Sequence, residues 1–364
     1  MQCTNLGGME QVSYRIMRGL AAGTKGLRFR ITTPRPFGHG KKFIDEFDPG
    51  ARDFPYQGRF GWRSYAEFSR HVKELSRECS YIWVTGTCAT SLAAIRRLKM
   101  PKVLSHHYHH FENRMSWLKW RGFYELLCRD LSAVTFPTAF TCDEALRIAP
   151  WLKKKAHVVP NGFEVFYTNE EERFKLQQLA RTHLELPPHA WIVMNAGWLI
   201  PRKRFDIFLK TAAEVKKRLP ESYFVICGNG LLEAQLKRLA DDLGLTGSIR
   251  FTGWVEDLAQ YYQASDVLLY NSDFDAFGCT PIEAAGHGCI VVASIVYGGL
   301  YEYIDHLTTG FLYNTHDVES MTFSIIKVAQ DKVLCKNMRE AGVRKLKIKY
   351  PIENGIDFYK RFFN

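Results

Sequence analysis

NSDFDAFGCTPIEAAGHG, residues 271–288, supports two incompatible architectures. Asp273-Phe274-Asp275 is a D-x-D, a spacing that lets two carboxylates clasp a divalent metal. Asp275 and Glu283 are also two carboxylates eight positions apart, flanking Phe277-Gly278 and the start of a helix, an arrangement that needs no metal. Pro281 suits a first helical turn, where its missing N–H costs nothing. The N–H groups of Phe277, Gly278, Cys279 and Thr280 then lie at the helix N-terminus, which favours phosphate or sugar hydroxyls. Glu283, on the first turns of that helix, can accept hydrogen bonds from a vicinal diol such as a ribose. Asp275, on the loop, can accept one from a sugar hydroxyl.

The flanks place this stretch between the strands SDVLLY (265–270) and CIVVAS (289–294). Further out, WIVMNAG (191–197), SYFVICG (222–228) and SIRFTG (248–253) read as buried strands. Helices separate them at 204–219, about 231–243 and 256–263, and another starts near 280. Short apolar strands alternating with helices imply a parallel sheet covered on both faces, and ligands bind such sheets at the carboxyl ends of the strands. Three more motifs fall at those ends. LIPRKRFD (199–206) puts Arg202, Lys203 and Arg204 where cations can hold a diphosphate leaving group, although a basic run is equally often a solvated loop. CGNG (227–230) is a weak G-x-G. FTGWV (251–255) places Trp254 where it is either core or beside a base. YGGLYEYIDHLTTGFLY (297–313) adds Gly298-Gly299 and Glu302 in a second glycine turn.

The first half repeats the theme less clearly. QVSYRIMRGLAAG (11–23) reads as a helix, and LRFRITT (27–33), YIWVTG (81–86), KVLSHH (102–107) and AVTFPT (133–138) as strands. Gly7-Gly8-Met9-Glu10 opens a helix and lets a phosphate approach the backbone. Only six residues precede it, so the first strand of the unit is expected to be missing, with the true start upstream. Residues 164–189 look like a linker with a polar helix, and the C-terminal PIENGIDFYKRFFN is a short aromatic helix.

The 364 residues, 46% hydrophobic and 24% charged, suit two soluble domains. No apolar run is long enough to span a membrane, and the N-terminus has no signal-peptide pattern. Nine scattered cysteines without a C-x-x-C fit a reducing cytoplasm and disfavour zinc. Residues 1–163 hold 26 Lys+Arg against 13 Asp+Glu, and the other 201 hold 23 against 25. A basic half suggests an anionic partner: membrane surface, nucleic acid or a phosphorylated substrate.

In order, the motifs G-x-L-x-P-x-K-x-x-D (197–206), C-G-N-G (227–230), F-T-G-W-V (251–255), N-S-x-x-D-x-F-G-x-x-x-x-E-A-x-x-x-G (271–288) and G-G-x-x-E-x-I-x-x-x-x-x-G-F-L (298–312) resemble the retaining glycosyltransferases of family 4. GGME (7–10), the histidines after KVLS and VVPNGFE (158–164) resemble the same family more loosely. The resemblance implies an α/β GT-B fold: two Rossmann-like doubly wound parallel-sheet domains facing a central cleft. It implies an acceptor domain at 1–163, a linker at 164–189, a nucleotide-sugar donor domain at 190–345, and a helix at 346–364 crossing back onto the N-terminal domain.

It also implies roles. Lys203 holds the donor diphosphate, Glu283 the donor ribose, and Asp275 the donor sugar. Backbone at Phe277, Gly278, Cys279 and Thr280 contacts sugar and phosphates, Gly8 approaches the phosphate, and His107 matches the active-site histidine. Gly228, Trp254 and Val255 complete the donor set. Two departures stand out. Trp198 replaces an arginine that usually binds the diphosphate, leaving Arg202 or Arg204 to compensate. Asp275 is one methylene shorter than the usual glutamate.

SHHYHHFENR (105–114) holds four histidines within five residues, but no nearby cysteine or acidic cluster completes a metal set. His107 is the active-site candidate, with His106 the alternative because the strand-end register is open. MSWLKWRGFYELLCR (115–129) is either a helix packed on the N-terminal sheet or one resting on an anionic membrane; the basic surplus favours the membrane. The expected activity is metal-independent, cofactor-free transfer of a hexose from a nucleotide-diphosphate sugar to a saccharide or lipid-linked acceptor, in the cytoplasm or at the cytoplasmic face of the membrane. The alternatives are a sugar-nucleotide epimerase or hydrolase, or a non-catalytic nucleotide-sugar- or nucleic-acid-binding protein, although no nucleic-acid motif is present.

Overall fold

A computed structural model describes residues 8–34, 36–37, 40–54, 62–108, 114–296 and 299–363. Gly7, Gly298, His109 and His110 lie outside the described residues. The chain forms two compact units, one of residues 1–162 with 352–364 and one of residues 163–351.

The second unit is built on six parallel strands: β7 (Ile192–Ala196), β8 (Tyr223–Cys227), β9 (Ile249–Gly253), β10 (Val267–Tyr270), β11 (Ile290–Ser294) and β12 (Phe311–Tyr313). Their order is β12-β11-β10-β7-β8-β9. The order reverses between β7 and β10, where Val193 pairs with Val267 and Met194 with Leu268. β7, β10 and β11 are buried along their whole length, as strands covered on both faces must be. One face packs Met194, Leu268 and Val291 against Ile282 and Tyr303. The other packs Val193, Leu269 and Val292 against Phe208 and Met321. The helix Phe205–Arg218 shows why such segments form. Phe205, Phe208, Leu209, Ala212 and Val215 recur on one buried face, Asp206 lies in the first turn, and Lys216 to Arg218 complement the dipole in the last.

The segment read as a linker carries the helix Glu170–His183, and it is clamped to this sheet. Buried Asp266, just before β10, accepts from Gln177 Nε2 at 2.9 Å, Arg181 Nη2 at 2.8 Å and the Ile192 N–H at 2.8 Å. Each of those contacts is a hydrogen bond to a charge in a dry site, where pairing matters most. The helix Lys332–Lys349 also stays in the second unit, so the chain leaves that unit at residue 351.

The first unit holds four parallel strands in the order β3-β4-β5-β6: β3 (Ile82–Thr85), β4 (Lys102–Ser105), β5 (Ala133–Phe136) and β6 (Ala156–Val158). Of the expected strand 27–33, only Thr32–Thr33 (β1) is in a ladder, paired with Arg52–Asp53 (β2) rather than with the main sheet. The helix Ile352–Phe363 lies on the helix Gly8–Gly23. A Cβ on Gly19 would fall 2.1 Å from Ile356 Cδ1, so glycine is what permits that approach. Tyr359 is buried, its ring 4.5 Å from that of Trp83, and its hydroxyl hydrogen-bonds Ser105 Oγ at 2.5 Å and Thr135 Oγ1 at 3.2 Å.

Candidate functional site

At the switch point of the second unit, the loop after β7 meets the loop after β10. The first loop begins with Gly197, at φ +154°, and a short turn of 3₁₀ helix, Pro201–Lys203, then delivers Arg202 and Lys203. The second loop carries Asp273 and Asp275 and ends at Gly278, whose φ of +79° turns the chain into the helix Cys279–Gly286. Glycine permits that left-handed turn without strain.

Asp275 is the hub. Its Oδ2 accepts from Lys203 Nζ at 2.5 Å and from the Tyr270 hydroxyl at 2.6 Å, with Arg202 Nη1 3.8 Å away. Its Oδ1 accepts weakly from the N–H groups of Phe277 and Gly278, at 3.4 and 3.3 Å. The Lys203 ammonium also donates to the Tyr270 hydroxyl and lies 4.6 Å from the centre of that ring. Burial works against the Asp275 carboxylate, but Lys203, then Tyr270 and Arg202, outweigh it and hold its pKa well below the ordinary range. Burial lowers the pKa of Lys203, with Asp275 opposing. Burial and then the Asp275 charge drive the Tyr270 phenol well above its usual value. The result is a nearly dry ammonium–carboxylate–phenol cluster at the carboxyl ends of β7 and β10.

The two aspartates of the D-x-D are engaged by different cations. Asp273 Oδ1 is 3.4 Å from Arg204 Nη1, while Asp275 belongs to Lys203. Arg204 itself, with φ at +43°, forks onto Asp206 at 3.0 and 2.9 Å and reaches His316 Nε2 at 3.1 Å. Of the two arginines expected to replace the missing one, Arg202 stands beside Asp275 and Arg204 is tied to Asp206.

Glu283 is half-buried on the helix Cys279–Gly286 and accepts from the Tyr262 hydroxyl at 3.3 Å. Cys279 and Thr280, also half-buried, form its first turn, and Phe277 is buried just before it. Trp198 and Trp254 stack with centroids 5.2 Å apart and planes at 27°. The tryptophan in the usual arginine's place thus joins the end of β7 to the loop after β9, and Val255, next in that loop, is half-buried against the core. Gly228 has a structural duty: at φ +142°, a Cβ there would lie 1.9 Å from the Gly197 carbonyl oxygen. The sequence did not reveal Tyr270 or Tyr262 as partners. The available signal for Tyr270 was its place as the last residue of the strand beside β7.

In the first unit the structure separates the two candidate histidines. His106 is fully buried in the core, its ring 5.1 Å from Trp120 and 5.2 Å from Phe136. His107, at the carboxyl end of β4, is half-buried, and loss of solvent lowers its pKa to about 4. It is neutral near pH 7 and can donate or accept one hydrogen bond. Gly8 begins the helix Gly8–Gly23. In the helix Arg114–Leu127, Trp120 and Tyr124 are buried, while Met115, Trp117 and Leu118 are exposed.

The second unit thus carries a cationic cluster at the switch point of a parallel α/β sheet, where ligands bind in such folds. A family model described as Glycosyltransferase Family 4 matches residues 6–165, and one described as Glycosyl transferases group 1 matches residues 177–345. The chain belongs to the family 4 glycosyltransferases, with the GT-B fold. It is 29% identical over 179 residues, 49% of this chain, to the lipopolysaccharide core biosynthesis glycosyltransferase LpsE of Rhizobium meliloti (strain 1021), and that match spans 51%, about half, of LpsE. An uncharacterized glycosyltransferase of Haemophilus influenzae is 24% identical over 374 residues, 99% of this chain and 97% of that protein. Among solved structures, Anabaena Alr3699/HepE in complex with UDP-glucose superposes with a TM-score of 0.82 at 19% identity, covering 99% of this chain and 97% of that one.

Proposed function

We propose that the chain is a retaining glycosyltransferase that moves a hexose from a nucleoside diphosphate sugar to a saccharide or glycolipid acceptor without a metal ion. The observation that carries this reading is the Lys203–Asp275–Tyr270 cluster at the switch point, flanked by Arg202 and the start of the helix Cys279–Gly286. Lys203 is a fixed cation whose present counterion is a carboxylate; a donor diphosphate offers it two negative phosphates instead. As the sugar–oxygen bond breaks, charge grows on the leaving diphosphate, and Lys203 with Arg202 stabilises it more than it stabilises the ground state. The departing oxygen then accepts the acceptor's proton on the same face, so configuration is retained. In this scheme Glu283 binds the donor ribose. Asp275 orients Lys203 and meets the sugar, and neutral His107 hydrogen-bonds the transferred sugar.

UDP-sugars are the first donors to try, because HepE was solved with UDP-glucose. Assembly of a lipopolysaccharide-type glycan is the pathway class suggested by LpsE. Exposed Met115, Trp117 and Leu118, beside Lys119 and Arg121, suit contact with an anionic membrane. A panel of nucleotide sugars, read by thermal stabilisation and by nucleotide release with and without saccharide acceptors, tests the proposal. A donor that stabilises the wild type and fails to stabilise Lys203→Ala and Glu283→Ala supports it. Nucleotide release or epimerisation indifferent to every acceptor points to a hydrolase or epimerase. No stabilisation by any donor refutes the site.

A further inference from the structure

Three non-glycine residues stand at positive φ among the described residues: Glu185, Arg204 and Leu307. Glu185 precedes β7 and Leu307 precedes β12, at the amino ends of the strands. Arg204 stands at the carboxyl end, directly after Lys203, with φ +43° and ψ +44°. A left-handed residue brings its Cβ too close to the following carbonyl oxygen, so the surroundings must hold it there. Its N–H closes the short 3₁₀ turn on the Pro201 carbonyl at 3.1 Å, and its carbonyl accepts from Ile207 and Phe208 at 3.0 and 3.3 Å. Arg204 is therefore the joint between the loop that carries Lys203 and the helix Phe205–Arg218. Its guanidinium reaches three elements. Nε and Nη2 fork onto Asp206, on that helix. Nη1 is 3.4 Å from Asp273 Oδ1, in the loop after β10, and 3.1 Å from His316 Nε2, in the loop after β12. The same three loops are laced through Arg202 and Ser272. The Arg202 carbonyl accepts from the Asp273 N–H at 2.8 Å and from Ser272 Oγ at 3.2 Å, and the Ser272 carbonyl accepts from Thr315 Oγ1 at 3.4 Å.

We infer that Arg204 is a positioning residue: it braces the loop of Lys203 against the loop of Asp275 and so sets where the Lys203 ammonium stands. The inference rests on the proposed function, in which that ammonium meets the donor diphosphate. Lys203 lies between two tied neighbours, Arg202 and Arg204, and Asp275 lies two residues beyond Asp273. A lysine is a point charge on a flexible stem, so its aim depends on the backbone that carries it. Catalysis by a fixed charge depends steeply on that aim, and a misplacement of about 1 Å can cost about 100-fold. The guanidinium already has two carboxylates and an imidazole around it, so its part is to set geometry while Lys203 and Arg202 supply charge to the donor. Partly exposed ion pairs of this kind add little to stability. The brace therefore shows in turnover and in the protection of the loops, and hardly at all in the unfolding midpoint.

The test uses Arg204→Gly, which keeps the left-handed backbone and removes the side chain, and Asp273→Ala, which removes the anchor on the other loop. The glycine variant is also made in the Lys203→Met background. Amide exchange reads the brace without substrate, each time in the loop that carries no substitution: residues 271–278 for Arg204→Gly and residues 199–204 for Asp273→Ala. Exchange there should quicken about tenfold, with the thermal midpoint within about 3 °C of wild type. With the nucleotide sugar from the donor panel that stabilises the wild type, Arg204→Gly should lower kcat about tenfold and leave KM within about twofold. In the Lys203→Met background the same substitution should change kcat by less than about twofold, because the residue it positions is gone. Unchanged exchange in both loops overturns the inference. So does a raised KM at constant kcat, which would make Arg204 a donor ligand, or a further tenfold loss on top of Lys203→Met, which would make it act apart from Lys203. A wild type that turns over no nucleotide sugar refutes the proposed function instead, and the exchange measurements still decide whether the brace exists.

Discussion

Replacing Lys203 by Met keeps the length of the side chain and deletes the charge at the centre of the switch-point cluster. Asp275 then loses its 2.5 Å partner and keeps Arg202, at 3.8 Å, the Tyr270 hydroxyl and the two weak bonds from the Phe277 and Gly278 N–H groups. Orphaning a buried charge costs about 3–5 kcal/mol. Asp275 is 22% exposed and retains these other contacts, which brings the expected loss to roughly 2 kcal/mol, or about 4–8 °C for a unit of this size. The acid limb moves as well. In the wild type the folded pKa of Asp275 lies below its unfolded value. Its contribution is therefore complete above about pH 4 and is lost as pH falls through the folded value. Without Lys203 the folded pKa rises, so the variant loses less stability on acidification than the wild type. Catalytically, removing one fixed donor to a growing anion lowers kcat about 10²–10³-fold. Lys203→Arg should recover stability better than turnover, because a planar fork cannot place its charge where an ammonium stood. Thermal unfolding from pH 3 to 7 and release of nucleotide from the donor, measured on the same preparations, check both halves. A Met variant with wild-type turnover and an unchanged midpoint would refute the role given to the cluster.

Asp266→Ala should cost about 3–5 kcal/mol in urea unfolding, since it strands Arg181, Gln177 and the Ile192 N–H in a dry site. Gly228→Ala should lower stability by roughly 2–3 kcal/mol, because its Cβ meets the Gly197 carbonyl at 1.9 Å and its φ is +142°; a calorimetric midpoint equal to wild type would contradict this. Tyr359→Phe removes the hydroxyl shared by Ser105 and Thr135. It should cost about 1–2 kcal/mol and speed proteolytic removal of the last helix. Trp117→Ser should leave the fold intact and weaken sedimentation with anionic vesicles, and equal sedimentation would remove the membrane contact from the proposal.

The second unit was legible because its strands are buried on both faces and so write themselves as unbroken apolar runs, with β7, β8, β10 and β11 each standing clear of amphipathic helices such as Phe205–Arg218. β12, only three residues long, was too short to stand out. In the first unit, LRFRITT has a strand's alternation but almost no ladder, because a ladder needs a neighbour and periodicity cannot supply one. The candidate site residues Lys203, Asp275 and Glu283 are marked by their places at strand ends and a helix start. Their partners were not. Tyr270 and Tyr262 read as ordinary core aromatics until the chain turns their hydroxyls onto two carboxylates. The polar helix Glu170–His183 reads in the sequence as part of a linker, because the carboxylate that anchors it lies 85 residues from Arg181.

The last helix belongs to the first unit, and this orders events during synthesis. Residues 163–351 leave the ribosome as a continuous segment and can close their own sheet without waiting for anything downstream. The first unit cannot: Tyr359 supplies the phenol that Ser105 and Thr135 share, and Ile356 fills the space beside Gly19. Until the final dozen residues emerge, that half of the chain carries an uncovered aromatic groove, the kind of surface on which chaperones act and aggregates start. Residues on both sides of the 163–351 segment make up the first unit, so removing the helix Ile352–Phe363 should damage folding of the strands that precede residue 163.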